Sequence, residues 1–220
     1  MNAGRTARDR ARAELTQEIK DEARRQLATD GAQLSLRAVA RSLGMASSAI
    51  YRYFPSRDDL LTALIIDAYS SLGAAVEAST GDSPRAQWRS ACHAVRNWAL
   101  DHRHEYALIY GSPVPGYRAP QDTVAPAARV PLVFVGVAGA AGAPDSDVPP
   151  VVHAQADALR PALPNDLPAG ALARVLLAWT QLFGMISFEL FGQLVGSADP
   201  ADEFFAYAVD QMADFVGIAR

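Results

Sequence analysis

The chain has 220 residues, half of them apolar, which is enough to bury a substantial core and argues against wholesale disorder. A single cysteine, Cys92, excludes an internal disulfide framework and a cysteine-based zinc site. No uninterrupted apolar run reaches about 18 residues, and the polar N-terminus is unlike a secretory signal. We therefore expect a cytoplasmic protein with no transmembrane helix.

Charge is distributed unevenly along the chain. Residues 1–60 carry 11 Lys and Arg against 8 Asp and Glu, a net charge of +3, whereas residues 61–220 carry 9 against 16, a net charge of −7. A basic head on an acidic body predicts that only the head meets a polyanion.

The first predicted element is a helix from about Asp9 to Asp30, with Gly31 as its stop. Its apolar side chains recur every four residues on one face: Leu15, Ile19, Ala23 and Leu27. Four arginines precede or open this helix: Arg5, Arg8, Arg10 and Arg12. They form either a solvated terminus or an arm that touches phosphates or a groove.

The next stretch is interpreted as two short helices joined by a tight turn. Ser35 can cap a helix from about Leu36 to Leu43, and Gly44 lies where a left-handed residue would end it. A second short helix is expected from Ser47 to Tyr53, ended by Pro55, with its apolar side chains Ile50 and Phe54 pointing inward. Such an arrangement is a helix-turn-helix.

The remaining predicted elements are also helical, so the predicted fold class is all-α. Ser56 and Asp59 form a capping-box variant before a long helix that runs to about Ala78. Further helices are expected at about 84–102, 105–110, 151–159, 169–195 and 199–218, with a loop at 112–120. The last helix is expected to open with Asp199 as its cap and Pro200 at its first position. The stretch 125–143 could be a buried strand because it is β-branched, although its helical surroundings favour a helix.

The helix-turn-helix offers several polar side chains to a DNA duplex. Eight residues are candidate DNA contacts: Ser35, Arg37, Ser47, Ser48, Tyr51, Arg52, Tyr53 and Arg57. Arginine can pair with guanine through two hydrogen bonds, and hydroxyl groups can pair with base edges or phosphates. Arg57 combines positive charge with the open N–H groups at the start of a helix. The alternative is a three-helix cap with ordinary polar surface residues.

One pattern spans both short helices: Leu36-x-x-Val39-Ala40-x-x-Leu43-Gly44-Met45-x-x-x-x-Ile50-Tyr51-Arg52-Tyr53-Phe54-Pro55-Ser56-Arg57-x-x-Leu60-Leu61. It resembles the tetracycline-repressor (TetR) family of bacterial transcriptional regulators over about residues 9–78. The chain departs from the family where Ala46 replaces the usual capping serine and Ser47 and Ser48 replace a lysine or threonine and a glycine. Operator contacts therefore cannot be transferred, and Ser47 is an alternative cap.

The resemblance implies a helix-turn-helix DNA-binding domain at residues 1–56 and a helical ligand-binding and dimerisation domain at residues 57–220. It implies a homodimer, paired through helices at about 169–195 and 199–218, that binds a palindromic DNA operator as a repressor and is released by an unknown small-molecule effector. Both closing helices are apolar over more than one face, which independently favours a partner. They could instead form the centre of a monomeric core.

The C-terminal part resembles a subgroup with a Trp…His-Gly pattern, although Trp179-x-x-x-Phe183-Gly184 has phenylalanine in place of histidine. Five aromatic residues are candidate ligand contacts: Trp98, Tyr110, Phe134, Trp179 and Phe183. Glu189 is expected at a bundle edge or in an ion pair, rather than against a cationic ligand.

An enzyme that processes a small molecule in the apolar body is the rival hypothesis. The glycines at 136, 139 and 142 imitate a dinucleotide-binding turn, but their spacing is wrong and the next residues cannot continue a helix. His102 and His104 lack acidic partners at metal-ligand spacing. The sequence thus predicts no cofactor, no metal site, no catalytic residue and no membrane partner.

Overall fold

The computed structural model describes residues 6–30 and 34–219, and nine α-helices and no strand occur within them. The α-helices are α1 (Ala7–Asp30), α2 (Leu36–Ser42), α3 (Arg57–Glu77), α4 (Pro84–Asp101), α5 (Arg103–Tyr110), α6 (Val124–Ala140), α7 (Pro150–Leu159), α8 (Ala169–Leu190) and α9 (Ala201–Val216). Short 3₁₀ turns lie at Ile50–Arg52, Gln121–Thr123 and Arg160–Ala162. The predicted all-α fold is confirmed.

The chain divides into two compact units. The head unit comprises the described residues up to 68 together with 104–124, and the body unit comprises 69–103 and the described residues from 125 onward. The first part of α3 and nearly all of α5 thus belong to the head unit. The head unit therefore combines two separate stretches of the chain, and no single boundary in the sequence separates it from the body unit. The functional boundary expected after residue 56 stays a prediction.

The core of the head unit is built from the face predicted for the first helix. Ile19 and Ala23 of α1 are fully buried and share one cluster with Val39 of α2, Ile50 of the 3₁₀ turn and Leu64 of α3. Burial of aliphatic side chains contributes about 1.5–3 kcal/mol each. The helix-turn-helix is therefore held by its apolar side chains, which leaves its polar side chains outside.

Helix ends in the head unit follow the predicted caps. The Ser35 hydroxyl accepts a hydrogen bond from the Ala38 amide, and the Ser56 hydroxyl accepts one from the Asp59 amide at 3.1 Å. Gly44 has a left-handed φ of 65°, which ends α2 as expected. Gly31 and Arg5 lie outside the described residues.

The body unit contains α4, α6, α7, α8 and α9, with α4 and α8 packed on α9. In its interior the rings of Trp88 and Phe134 pack edge to face, with their centroids 5.0 Å apart. Cys92 is fully buried on α4, and burial raises the pKa of its thiol.

The ambiguous stretch at 125–143 is helical, so the alternative of a strand is wrong. Helix α6 continues through Pro131, and Gly142 beyond its end has a left-handed φ of 62°. A β-branched run can form a helix when neighbouring helices bury its apolar residues, since packing outweighs a weak local preference.

The two closing helices differ from prediction at their ends. Helix α8 stops at Leu190 rather than near residue 195, and a series of turns follows it. Pro200 occupies the cap position of α9, and the helix has no side-chain cap, so the expected Asp199 cap is wrong. Proline lacks the side-chain oxygen of a cap and shifts the first helical residue to Ala201.

Three segments are long and apolar enough to cross a membrane by length and composition alone: Arg57–Glu77, Gln121–Ala140 and Ala169–Leu190. Charged residues interrupt the first, and none is a continuous apolar run. Many of their apolar side chains form the cores of the two units.

Candidate nucleic-acid interface

The recognition segment, residues 46–54, is a tighter helical turn than the sequence predicted. Its first hydrogen bond joins the Ala49 amide to the Ala46 carbonyl at 2.8 Å, and 3₁₀ geometry spans Ile50–Arg52. The expected α-helix from Ser47 to Tyr53 is wrong in type and length, and no side chain caps the 3₁₀ turn, so the alternative Ser47 cap is wrong too.

Two buried side chains fix the orientation of the recognition segment. Ile50 is fully buried and Phe54 nearly so, and both belong to the core of the head unit. Because these residues point inward, the intervening Tyr51 and Arg52 are exposed. Tyr51 keeps 43% of its surface exposed, which is unusual for an aromatic residue next to a core and leaves its ring available to a partner.

The structure brings most of the predicted DNA contacts to the outside of the head unit. Six are exposed: Ser35, Arg37, Ser47, Ser48, Tyr51 and Arg52. Tyr53 and Arg57 are only half-buried. Exposure alone does not test a contact with DNA, so each of these assignments stays a prediction.

Two of the predicted contacts also serve the fold. The Arg57 guanidinium donates from Nε to the Leu34 carbonyl at 3.2 Å, which joins the start of α3 to the segment before α2. The Ser35 hydroxyl is the cap of α2. A hydroxyl that accepts from a helix amide can still donate its own proton to a phosphate oxygen.

Sequence reasoning missed Arg41 near this surface, and it named Arg12 only as part of the basic arm. Arg41 is exposed one helical turn after Arg37 on α2, and the spacing of four was a readable signal. Arg12 of α1 donates from Nη2 to the Arg52 carbonyl at 3.1 Å, and its guanidinium lies 5.6 Å from the centre of the Tyr53 ring. No local pattern predicts a contact across 40 residues.

A network of charged side chains joins three helices within the head unit. Arg24 of α1 donates to Asp67 of α3 at 2.7 Å and to Glu105 of α5 at 3.0 Å. Lys20 also pairs with Asp67, at 2.7 Å. Helix α5 directly follows α4 in the chain, with only His102 between them. The network therefore fastens the start of α5 to the helices that support the recognition segment.

Helices α8 and α9 of the body unit each expose an apolar stripe. The exposed residues on α8 recur at spacings of three and four: Leu177, Gln181, Gly184, Phe188 and, at its end, Phe191. Those on α9 do the same: Phe204, Tyr207, Gln211 and Phe215. The two helices pack on each other, and we call the two stripes together the α8–α9 surface.

The candidate ligand contacts do not form one cluster. Trp179 and Phe183 have ring centroids 5.5 Å apart on α8, whereas Phe134 packs on Trp88 instead. Tyr110 belongs to the head unit, unlike the other four candidates. Trp98 is already hydrogen-bonded, from its indole nitrogen to the Ser71 hydroxyl at 2.9 Å.

Two indole groups of the body unit are unusual. The Nε1 atoms of Trp88 and Trp179 are buried, and the structure gives them no hydrogen-bond acceptor among the described residues. A buried donor without an acceptor costs about 1–3 kcal/mol. Such groups are therefore places where a ligand with an acceptor atom would be favoured.

Glu189 lies in an ion pair, which is one of the alternatives expected from the sequence. Arg96 of α4 binds it through two hydrogen bonds, at 2.6 and 2.7 Å, and also pairs with Asp202 of α9 at 2.7 Å. The hydrogen bonds to Glu189 raise the pKa of Arg96. Burial, with a further contribution from Arg96, lowers the pKa of neighbouring His93, whose ring packs on Phe205.

The head unit carries a helix, a turn at Gly44 and an exposed helical turn, which is the arrangement of a helix-turn-helix regulator, and comparison with known proteins agrees. The model of the tetR family of bacterial regulatory proteins matches residues 19–64, and that of the tetracyclin repressor-like C-terminal domain matches residues 88–212. The chain belongs to the TetR family, and it is a DNA-binding transcriptional regulator. The subgroup with the Trp…His-Gly pattern is not confirmed.

Relatives and solved structures support the same family. The chain is 41% identical to the HTH-type transcriptional regulators Mb1846 of Mycobacterium bovis and Rv1816 of Mycobacterium tuberculosis, over 83% of either sequence. It is 38% identical to the putative regulatory protein SCO4313, with a TM-score of 0.83 over 95% of this chain and 100% of that one. A tetR-family regulatory protein from Rhodococcus RHA1 shares the fold at a TM-score of 0.62 and 21% identity, over 93% of this chain and 98% of that one.

Proposed function

We propose that this regulator is a homodimeric repressor that binds a palindromic operator and is released by a small-molecule effector. The observation that carries the proposal is the recognition segment, in which buried Ile50 and Phe54 force Tyr51 and Arg52 outward. Members of the family bind DNA and typically dimerise. The effector and the operator are left to experiment.

The DNA contact is assigned to the exposed side of the head unit. Ser47, Ser48, Tyr51 and Arg52 read the major groove, where arginine pairs with guanine and hydroxyls pair with bases or phosphates. Phosphate contacts come from α2 and its cap, from the end of the recognition segment and from the start of α3. The residues are Ser35, Arg37, Arg41, Tyr53 and Arg57. Neutralising phosphates releases counterions, so this binding weakens steeply as salt rises.

The dimer contact is assigned to the α8–α9 surface. Leu177, Phe188 and Phe215 each leave about half of their surface exposed in the single chain, and such an apolar stripe on two packed helices favours a partner. A two-fold axis would pair the stripe with its own copy in a four-helix bundle. At Gly184 an added Cβ would meet nothing within 4 Å, which leaves room for close helix approach.

The effector site is assigned to the apolar interior of the body unit. Trp98, Phe134, Trp179 and Phe183 are the aromatic candidates in that unit, and the indole N–H of Trp179 is a hydrogen-bond donor without an acceptor. An effector that is mostly apolar with a hydrogen-bond acceptor would fit these groups. Tyr110 remains a weaker candidate, since it lies in the head unit.

The response is proposed to travel through chain segments that belong to both units. Helix α3 runs from the recognition segment into the body unit, and α5 follows α4 almost directly. Because Arg24 fastens α5 to α1 and α3, movement of α4 would alter the support of the recognition segment. An effector shifts this equilibrium only through its different affinity for the two states.

The proposal assigns no catalytic role to the chain and places it in the cytoplasm, as suits its relatives that are named transcription regulators. It requires no cofactor, no metal ion and no membrane.

Fluorescence anisotropy on labelled DNA from beside the protein's own gene tests the proposal. We expect binding that prefers this DNA over a shuffled duplex and falls by orders of magnitude between 50 and 200 mM salt, about 10³–10⁵ for six to ten phosphate contacts. A chain that binds both duplexes equally, or neither, would refute operator recognition.

A further inference from the structure

The recognition segment has internal backbone hydrogen bonds but is weakly held at its two ends. It is one 3₁₀ turn without a side-chain cap at its start. At its end, the Arg52 carbonyl would need the amide of residue 55 to continue the 3₁₀ pattern, but Pro55 has no N–H to donate. The turn therefore depends on contacts from elsewhere in the head unit.

Arg12 of α1 supplies contacts at this weak end. Its Nη2 atom donates a hydrogen bond to the Arg52 carbonyl at 3.1 Å, which gives that carbonyl the partner Pro55 cannot provide. The same guanidinium lies 5.6 Å from the centre of the Tyr53 ring, within range of a cation–π interaction. One side chain thus touches two consecutive residues of the recognition segment.

Helix α1 is a firm base for these contacts. A capping box at its start joins the Thr6 hydroxyl to Asp9 at 2.7 Å, and the Asp9 amide returns a bond to Thr6 at 3.2 Å. Leu15 and Ile19, three and seven residues after Arg12, pack on the core of the head unit. The backbone of Arg12 therefore lies between two fixed points.

We propose that Arg12 is a positioning residue for DNA recognition, which holds the C-terminal end of the recognition segment, at Arg52 and Tyr53, without contacting DNA. This inference rests on the proposed role of residues 47–52 as the base-reading segment. A turn held in its binding geometry loses less conformational entropy on binding specific DNA. Non-specific binding, which depends on phosphate charge, needs no such geometry.

The test measures operator affinity of Arg12→Met over a series of salt concentrations. Each head loses one hydrogen bond and one exposed cation–π contact. Operator binding should therefore weaken about tenfold for each of the two heads bound. The slope of log K against log salt should match that of the wild type, and affinity for a shuffled duplex should stay the same. A slope smaller in magnitude by about two, one for each head of the dimer, with equal loss on both duplexes, would show a phosphate contact instead and overturn the inference.

Two further variants separate geometry from charge. Arg12→Lys keeps the charge but loses the planar guanidinium, so most of the weakening expected for Arg12→Met should remain. Arg8→Met removes the same charge one turn earlier on α1, and it should keep the wild-type ratio of operator to shuffled binding. Equal loss of that ratio in Arg8→Met and Arg12→Met would overturn the inference.

A double-mutant cycle checks the contact itself. Tyr53→Leu removes the ring beneath Arg12, so Arg12→Met should cost less in that background than in the wild type. Tyr53→Phe keeps the ring and should leave the effect of Arg12→Met unchanged. If the wild-type protein has no operator preference, the proposed function fails; if it has one and Arg12→Met keeps it, only this inference fails.

Discussion

The head and body units use arginine and large apolar side chains in opposite ways. In the head unit Arg37, Arg41 and Arg52 are exposed, while the aliphatic residues of the helix-turn-helix are buried. In the body unit Arg85 and Arg96 are about 5% exposed and bound by carboxylates, while Leu177 and Phe188 of α8 are exposed. A surface that keeps its charge hydrated suits a polyanion, and one that shows apolar side chains suits a protein partner.

The difference teaches that the two surfaces should respond to different perturbations. Exposed arginines act through long-range charge, which salt screens. Apolar stripes act through removal of surface from water, which moderate salt hardly changes. The predictions below perturb these two surfaces and the interior of the body unit separately.

The largest effect is expected from a charge on the α8–α9 surface. Leu177→Glu would place an unpaired carboxylate in the dimer contact twice, at roughly 3–5 kcal/mol for each buried charge. Light scattering after size-exclusion chromatography should then report a monomer mass. Operator binding should collapse, because two heads are no longer held together.

Val151→Glu is the matched control for this variant. Val151 is an exposed apolar residue on α7 and is not one of the residues that define the α8–α9 surface, so the dimer and its operator binding should persist. A monomeric Leu177→Glu protein with full operator affinity would contradict the link between the two surfaces.

The next effect tests the buried arginine of the body unit. Arg96→Met leaves Glu189, whose side chain is only 15% exposed, without its main partner, at a cost of about 3–5 kcal/mol in the free energy of unfolding. Urea denaturation measures this loss. Removing both charges, as Arg96→Met with Glu189→Leu, should recover much of it, and a double variant as unstable as the single one would contradict the explanation.

A smaller effect is expected at the exposed arginine of the recognition segment. Arg52→Ala should weaken operator binding by about 1–3 kcal/mol and relax preference at one base pair, as anisotropy with single-base variants of the operator would report. Stability and dimer mass should not change. Arg118→Ala, on the exposed loop after α5, is the control and should bind normally. Unchanged binding when Arg52→Ala and Tyr51→Ala are combined would refute the assignment.

The smallest effect is a pH dependence in the body unit. Burial first, and then Arg96, lower the pKa of His93 below its ordinary value of 6.5. As pH falls through 6.5 the unfolded chain binds a proton that the folded chain resists, so the free energy of unfolding falls with pH. Urea denaturation from pH 8 to pH 5.5 should show this slope, and His93→Phe, which keeps a ring beside Phe205, should flatten it.

Local pattern accounts for most of the fold. The four-residue spacing of Leu15, Ile19 and Ala23, the cap at Ser35 and the glycine at residue 44 specify helix and turn by themselves. The recognition segment was predicted in place but not in geometry, since a 3₁₀ turn and a short α-helix share the same few residues. The contacts of Arg12 were not predicted because its partners, Arg52 and Tyr53, lie about 40 residues away in the sequence.

Sequence by itself determined that this protein is all-helical, that its first domain resembles a DNA reader and that its family is TetR, because these depend on periodicity and short-range spacing. Tertiary structure decided which arginines stay in water and which meet carboxylates. It also decided that the segment 104–124 packs with the head unit. The physical reason is that burial and ion pairing depend on which distant residues share a space, and that choice follows from packing the whole chain at once.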